Sequence, residues 1–220
     1  MTRLAYLHTV AGLAGTFKSL SDELLKGVDI FHMVDESLLQ NTIRANQLSK
    51  TTIRRLCGYL SFAEEAGAEV IMVTCSSMGP AVELGRALVN VPVLRVDEPM
   101  AELAVQTGAK IGVAATLQTT LNPTADLIRR TASKLGKTVE VISKLCEGAF
   151  QAVIAGDTTR HDEIVSAGLQ ELIPQVEVIV LAQASMARVV ESLPQETRSI
   201  PILSSPRLAV EHLAQFIAKM

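Results

Sequence analysis

Short, almost continuously apolar runs alternate with longer amphipathic stretches along the whole chain. Arg3–Thr9 (RLAYLHT), Val28–Val34 (VDIFHMV), Ala68–Cys75 (AEVIMVTC) and Val91–Arg95 (VPVLR) are too short for core helices. They read as strands of a parallel sheet, whose strands are buried on both faces and so need no polar alternation. Lys50–Gly67 carries Ile53, Leu56, Cys57, Leu60 and Ala63 at a 3.6-residue period, which predicts one buried helical face and makes Cys57 a packing residue. Thr158–Glu163 opens a further helix, with Ile164, Leu169 and Leu172 on its buried side and His161 solvated in its first turn. Pro206–Met220 predicts a last helix with Leu208, His212, Leu213 and Phe216 along one side, His212 as a packed or edge residue. This strand–helix alternation is the pattern of a doubly wound parallel α/β sheet.

The pattern is written twice, with a period of roughly 108 residues. Arg3–Thr9 aligns with Lys110–Thr116 (KIGVAAT), and Val28–Val34 with Thr138–Lys144 (TVEVISK). Ala68–Cys75 aligns with Gln175–Gln183 (QVEVIVLAQ), and Val91–Arg95 with Ile200–Ser204 (IPILS). A repeat this long means duplicated domains rather than a solenoid. The expected architecture is two pseudo-symmetric flavodoxin-like halves, 1–97 plus 207–220 and 98–206, with the active site in the cleft where small-molecule sites usually lie.

Composition narrows the function. The chain has 220 residues, 48% hydrophobic but only 3% aromatic, so its core is aliphatic. A net charge of −3 with no basic stripe argues against nucleic acid and anionic membranes as partners. Cys57, Cys75 and Cys146 are widely spaced, which suggests neither a disulfide framework nor a structural zinc site. No apolar run reaches the roughly 18 residues of a membrane span, and His8 breaks the only stretch resembling a signal peptide, so a cytoplasmic protein is expected.

Chemistry gathers where the strands end. In open α/β sheets ligands bind beyond the carboxyl ends of strands. The third strand ends in Thr74-Cys75-Ser76-Ser77, and Pro80 with Val82-Glu83-Leu84 starts a helix just beyond. The positive end of that helix is expected to lower the Cys75 pKa toward neutrality. The equivalent second-half segment is Ala182-Gln183-Ala184-Ser185. The first strand ends in His8-Thr9, and its repeat mate in Thr116 followed by Thr119 and Thr120. Hydroxyls, amides and backbone N–H groups with almost no charge suit a carboxylate ligand. Cys75 is the candidate proton carrier; His8 and Thr9 are secondary candidates, and single hydroxyls here also serve as helix caps. Asp35-Glu36 and Asp97-Glu98 read mainly as helix-start charges. Phosphate-binding loops, the dinucleotide G-x-G-x-x-G, metal-ligand spacings and the G-x-S-x-G elbow are all absent.

The duplicated halves, Val73–Ser77 and its mate Leu181–Ser185 resemble the aspartate/glutamate/hydantoin racemase superfamily over essentially the whole chain. That superfamily includes maleate isomerases and arylmalonate decarboxylases. The resemblance implies cofactor-independent proton transfer at the carbon next to a carboxylate, commonly in a homodimer, with no metal. Typical members place one cysteine at each of the two equivalent strand ends, one thiolate removing a proton and the other thiol returning one to the opposite face. In this chain Gln183 stands where the second cysteine is expected, and a carboxamide carries no proton near neutral pH. The resemblance therefore implies one-cysteine chemistry, Cys75 as general acid/base, over a substrate cradle of Ser76, Ser77, Thr116, Thr119, Thr120, Gln183, Ala184 and Ser185. Two alternatives stay open: a decarboxylase or lyase (arylmalonate decarboxylases use a single cysteine, at the second-half position), and a non-catalytic binder of a carboxylate metabolite.

Overall fold

A computed structural model describes residues 1–193 and 199–220. In chain order the first elements are β1 (Arg3–His8), α1 (Leu13–Leu24), β2 (Asp29–Val34), α2 (Glu36–Ala45), α3 (Lys50–Glu65), β3 (Val70–Val73), α4 (Gly79–Gly85), β4 (Val93–Arg95) and α5 (Glu98–Thr107). Then follow β5 (Lys110–Ala115), α6 (Gln118–Lys134), β6 (Glu140–Leu145), α7 (Ala149–Ile154), α8 (Thr158–Leu172), β7 (Val178–Leu181), α9 (Ala187–Ser192), β8 (Ile202–Ser204) and α10 (Ser205–Ile217). The chain divides into two compact units, Met1–Glu98 with Pro206–Met220, and Pro99–Ser205.

In the first unit the sheet order is β2-β1-β3-β4, all parallel. Successive residues of β1 and β3 serve opposite faces, as strand geometry requires. Ala5, Leu7, Ile71 and Val73 pack with Leu38 of α2, Leu56, Leu60 and Ala63 of α3, and Ala81 and Val82 of α4. Leu4, Tyr6, Val70 and Met72 pack on the other face with Phe17 of α1 and Ala209, Val210 and Leu213 of α10. Each fully buried Leu, Val or Phe contributes about 1.5–3 kcal/mol of transfer free energy, so two covered faces explain the unbroken apolar strands. In α3 the expected stripe holds for Leu56, Leu60 and Ala63, but Cys57 is only partly buried, at the rim beside Gly85.

Helix starts are set by caps. The Asp35 carboxylate accepts the N–H of Ser37 at 3.0 Å and caps α2, with Glu36 in the first turn, as the sequence suggests. Ser49 caps α3 through Thr52 N, and Asp157 caps α8 through Arg160 N. Such caps contribute about 0.5–2 kcal/mol each. Gly67 (φ +88°) takes the chain out of α3 in the left-handed region that favours glycine.

The second unit repeats the topology, β6-β5-β7-β8, again all parallel. Ala114, Ile179 and Leu181 pack with Val165, Leu169 and Leu172 of α8, Val189 of α9 and Cys146. Ile111, Val113, Val178 and Val180 point the other way and are fully buried as well, with α6 covering β5 and β6. His161 corrects the sequence reading. It is fully buried, because it shares the inward face of α8 with Val165, Leu169 and Leu172.

Candidate functional site

In the first unit the strand ends bring Cys75, Thr9, Ser76 and Ser77 into one neighbourhood. Thr74 N donates to Leu7 O at 3.0 Å, which carries the β1–β3 pairing one residue past β3. Cys75 is still extended (φ −129°, ψ 111°), and Ser76–Met78 then make a tight 3₁₀ turn closed by Met78 N donating to Cys75 O at 3.0 Å. The thiol is partly buried, while Ser76, Ser77 and Thr9 are buried. Burial pushes the Cys75 thiol above its ordinary range, against the lowering influences of the Thr9 hydroxyl, the Met78 and Ser77 N–H groups and the Ser77 hydroxyl. Thr9 Oγ1 has no hydrogen-bond partner of full geometry, so it acts on the thiol as a neighbouring dipole rather than through a formed bond. The expectation of a thiol lowered toward neutrality is thus reversed. The helix beyond the turn, α4, has only seven residues, and burial outweighs the hydroxyl and N–H donors around the thiol. Burial also raises Cys57, and Cys146 to about 11. Cys75 differs from them in the number of donors around it.

His8 is fully buried and turned to other work. Its Nδ1 meets Thr74 Oγ1 at 2.8 Å and its Nε2 meets His32 Nδ1 at 2.9 Å. Its ring stacks with Tyr6 and His32 and tilts against Phe17. Thr74 Oγ1 donates to Leu7 O at 3.3 Å, so His8 Nδ1 carries the proton and Nε2 accepts from His32. Burial, and secondarily His32, lower the His8 pKa to about 4. Both nitrogens are engaged, which removes His8 as a free base.

Close by lies a group that the sequence reading missed. Arg95, 2% exposed, donates Nε and Nη2 to the two Asp97 oxygens at 2.9 and 2.8 Å, and Nη1 to Glu83 of α4. Asp97, the residue just before α5, is fully buried in this pair. Glu98 does begin α5 and pairs with Arg86 at 2.8 Å.

The second unit shows the equivalent strand end with different chemistry. Ala182 N donates to Ala114 O at 2.9 Å and Met186 N to Gln183 O at 3.1 Å, matching Thr74 and Met78. Gln183 therefore holds the Cys75 position, at φ −134°, ψ 136° and before a 3₁₀ turn over Ala184–Met186. Its side chain closes on Thr116: Oε1 accepts Thr116 N at 2.5 Å and Nε2 donates to Thr116 Oγ1 at 2.7 Å. Thr116 and Thr120 are buried, Thr119 and Ala184 partly buried, and Ser185 exposed. Thr119 Oγ1 has no hydrogen-bond partner. His161 Nδ1 lies 2.7 Å from Asp162, which also pairs with Arg188 at 2.7 Å.

Among the described residues no group of three or more His, Cys, Asp or Glu could hold a metal ion, and no helix is long and apolar enough to cross a membrane. A cavity of about 310 Å³ in the second unit is lined by Val105, Gln106, Gly108, Ala109, Lys137, Thr138 and Val139. These residues lie at or before the starts of β5 and β6, away from the strand ends that carry Thr116 and Gln183.

The sequence pattern of the Asp/Glu/hydantoin racemase family matches residues 9–213. A glutamate racemase isoform from Bacillus anthracis is similar at a TM-score of 0.79 and 18% identity, over 99% of this chain and 82% of that one. A putative Asp/Glu racemase from Yersinia pestis gives 0.74 at 16% identity, over 99% and 100%. An allantoin racemase from Klebsiella pneumoniae gives 0.72 at 16% identity, over 100% and 89%. At such identities the structural likeness speaks for the fold. No curated protein sequence matches the chain. With the family pattern running from the end of β1 into α10, the chain belongs to the Asp/Glu/hydantoin racemase family.

Proposed function

We propose that this chain catalyses cofactor-independent proton transfer at the carbon next to a carboxylate of a small anionic substrate, with Cys75 as its acid/base group. The observation that carries this reading is the contrast of two equivalent strand ends. Cys75 sits among hydroxyl and backbone N–H dipoles. At the matching position Gln183 bonds Thr116 through its carbonyl and one amide hydrogen, and a carboxamide has no proton to exchange near neutral pH. A glutamate racemase from Francisella tularensis with this fold was solved with D-glutamate, which supports a carboxylate of similar size as the first ligand to try.

Racemisation by two thiols needs a second proton carrier at the Gln183 position. One thiol serves one face of a planar intermediate. A second reading follows from the direction of the Cys75 shift. A thiol held above its ordinary range is protonated at neutral pH and begins the cycle as an acid. That suits a decarboxylase or similar lyase: cleavage of the bond to a carboxylate releases CO2 and leaves the electron pair on the α-carbon, Cys75 gives its proton there, and water returns a proton to the thiolate, the hydroxide left combining with CO2 as bicarbonate. The hydroxyls of Ser76, Ser77 and Thr9, beside Cys75 in the first unit, are proposed to hold the substrate carboxylate.

Thermal-shift screening of dicarboxylates, amino acids, hydantoins and malonates identifies the ligand class. Chiral chromatography of product formed in deuterated water then tests the reading. A single deuterated enantiomer is expected; rapid formation of both from the unmodified protein would contradict one-thiol delivery. A ligand that shifts the melting temperature yet exchanges no proton and undergoes no turnover would make the chain a binder.

A further inference from the structure

We infer that Arg95 is a positioning residue for Cys75, pinning both ends of the Thr74–Met78 segment that carries the thiol and its surrounding N–H groups. The inference rests on the proposed role of Cys75. At the start of the segment, Arg95 is the register partner of Val73, and Val96 N donates to Val73 O at 3.1 Å. At its end, the Arg95 guanidinium lies flat against Gly79, the residue after the turn. A Cβ added to Gly79 would stand 2.2 Å from Nη2, 2.3 Å from Cζ and 2.7 Å from Nη1. Only a glycine permits that approach.

Three hydrogen bonds hold the guanidinium in place. Asp97 grips Nε and Nη2 in a two-bond fork, and Glu83, further along α4, takes Nη1. The surrounding charges are Glu83, Asp97 and Glu98, with Arg86 reaching Glu98 and the Val93 carbonyl. A buried ion pair is a poor source of net stability, since an apolar pair of similar volume often serves as well. What the fork supplies is a fixed geometry: strand β4, paired with β3, is tied to helix α4 at one planar group, and the Cys75 turn is the link from β3 to α4. The Ser77 and Met78 N–H groups that hold the thiol down sit in that turn.

Two variants test this. Gly79→Ala keeps every charge, and the Gly79 backbone (φ −49°, ψ −48°) accepts alanine without strain. Its methyl group displaces either the guanidinium or the turn. Arg95→Met with Asp97→Leu removes the fork without stranding a buried charge. Cys75 alkylation by iodoacetamide is followed against pH by peptide mass spectrometry, with Cys57 as the internal control. No substrate is needed, so failure of this inference is distinguishable from failure of the functional reading, which Cys75→Ala turnover decides. In both folded variants the Cys75 profile is expected to move up by about half a pH unit, a roughly threefold fall in rate at fixed pH, with Cys57 unchanged. On an identified substrate kcat falls more than KM changes. An unmoved or lowered Cys75 profile in either folded variant overturns the inference. Loss of fold in both would make Arg95 a core element and overturn it as well.

Discussion

His8 gives the sharpest thermodynamic prediction. Its ring is fully buried in an aromatic cluster, Nε2 accepts from His32, and burial holds its pKa at about 4 against 6.5 in an open chain. The unfolded chain therefore binds the extra proton first as pH falls. The stabilising contribution is complete above pH 6.5, declines from there to about pH 4, and is flat below that. Two and a half pKa units correspond to about 3 kcal/mol, most of it lost by pH 4.5. Carboxylates with lowered values, such as Asp35 and Asp162, lose their contributions at or below the ordinary carboxylate range. The window above pH 4.5 thus belongs mainly to His8, with a smaller share from His32, also lowered by burial. His8→Phe keeps the stacking but removes the titration, and it leaves Thr74 Oγ1 and His32 Nδ1 short of a partner at a cost of about 1–2 kcal/mol. Urea unfolding at pH 7.5 should find the variant less stable. At pH 4.5 the order should reverse by about 1 kcal/mol. An equal gap at both pH values would refute the assignment of a neutral, acceptor His8.

Asp35→Ala removes the α2 cap and the Arg55 partner at 2.5 Å, and should lower stability by about 1–2 kcal/mol in urea unfolding at pH 7. Burial pushes the Asp35 carboxyl up, but hydrogen bonds from Ser37 and Tyr59 and the charge of Arg55 outweigh it, so the loss should shrink as pH falls through the carboxylate range. Gln183→Ala strands the buried Thr116 N–H and should cost about 1–3 kcal/mol by the same measurement. Gln183→Cys introduces a second thiol and, on the proposed function, should add slow exchange at the other face, read by chiral chromatography.

The strands were legible because parallel strands covered on both faces need nothing but apolar residues, and Val70–Val73 and Val178–Val180 contain nothing else. The repeat made Cys75 and Gln183 equivalent before any coordinates, since each ends the third strand of its half. The Arg95–Asp97 fork stayed hidden for a physical reason. Its meaning depends on the β3–β4 register and on the close approach to Gly79, and neither leaves a periodic signal. His161 was misread as solvated although its spacing to Val165 and Leu169 marks the inward face of α8. The direction of the Cys75 shift was missed because helix-end donors can be counted in a sequence while burial cannot. The same holds for His8, whose partners His32 and Thr74 lie on neighbouring strands.

The central claim is that the Cys75 thiol moves the proton. The most direct measurement is α-proton exchange with deuterated water, followed by NMR on a carboxylate ligand found by thermal shift, for the unmodified protein and for Cys75→Ala. The account predicts exchange or deuterium-labelled product from the unmodified protein. From a folded Cys75→Ala that still binds the ligand, it predicts a rate at least about 10²-fold lower, the usual span of a lost general acid/base. Exchange at an undiminished rate in Cys75→Ala would contradict it.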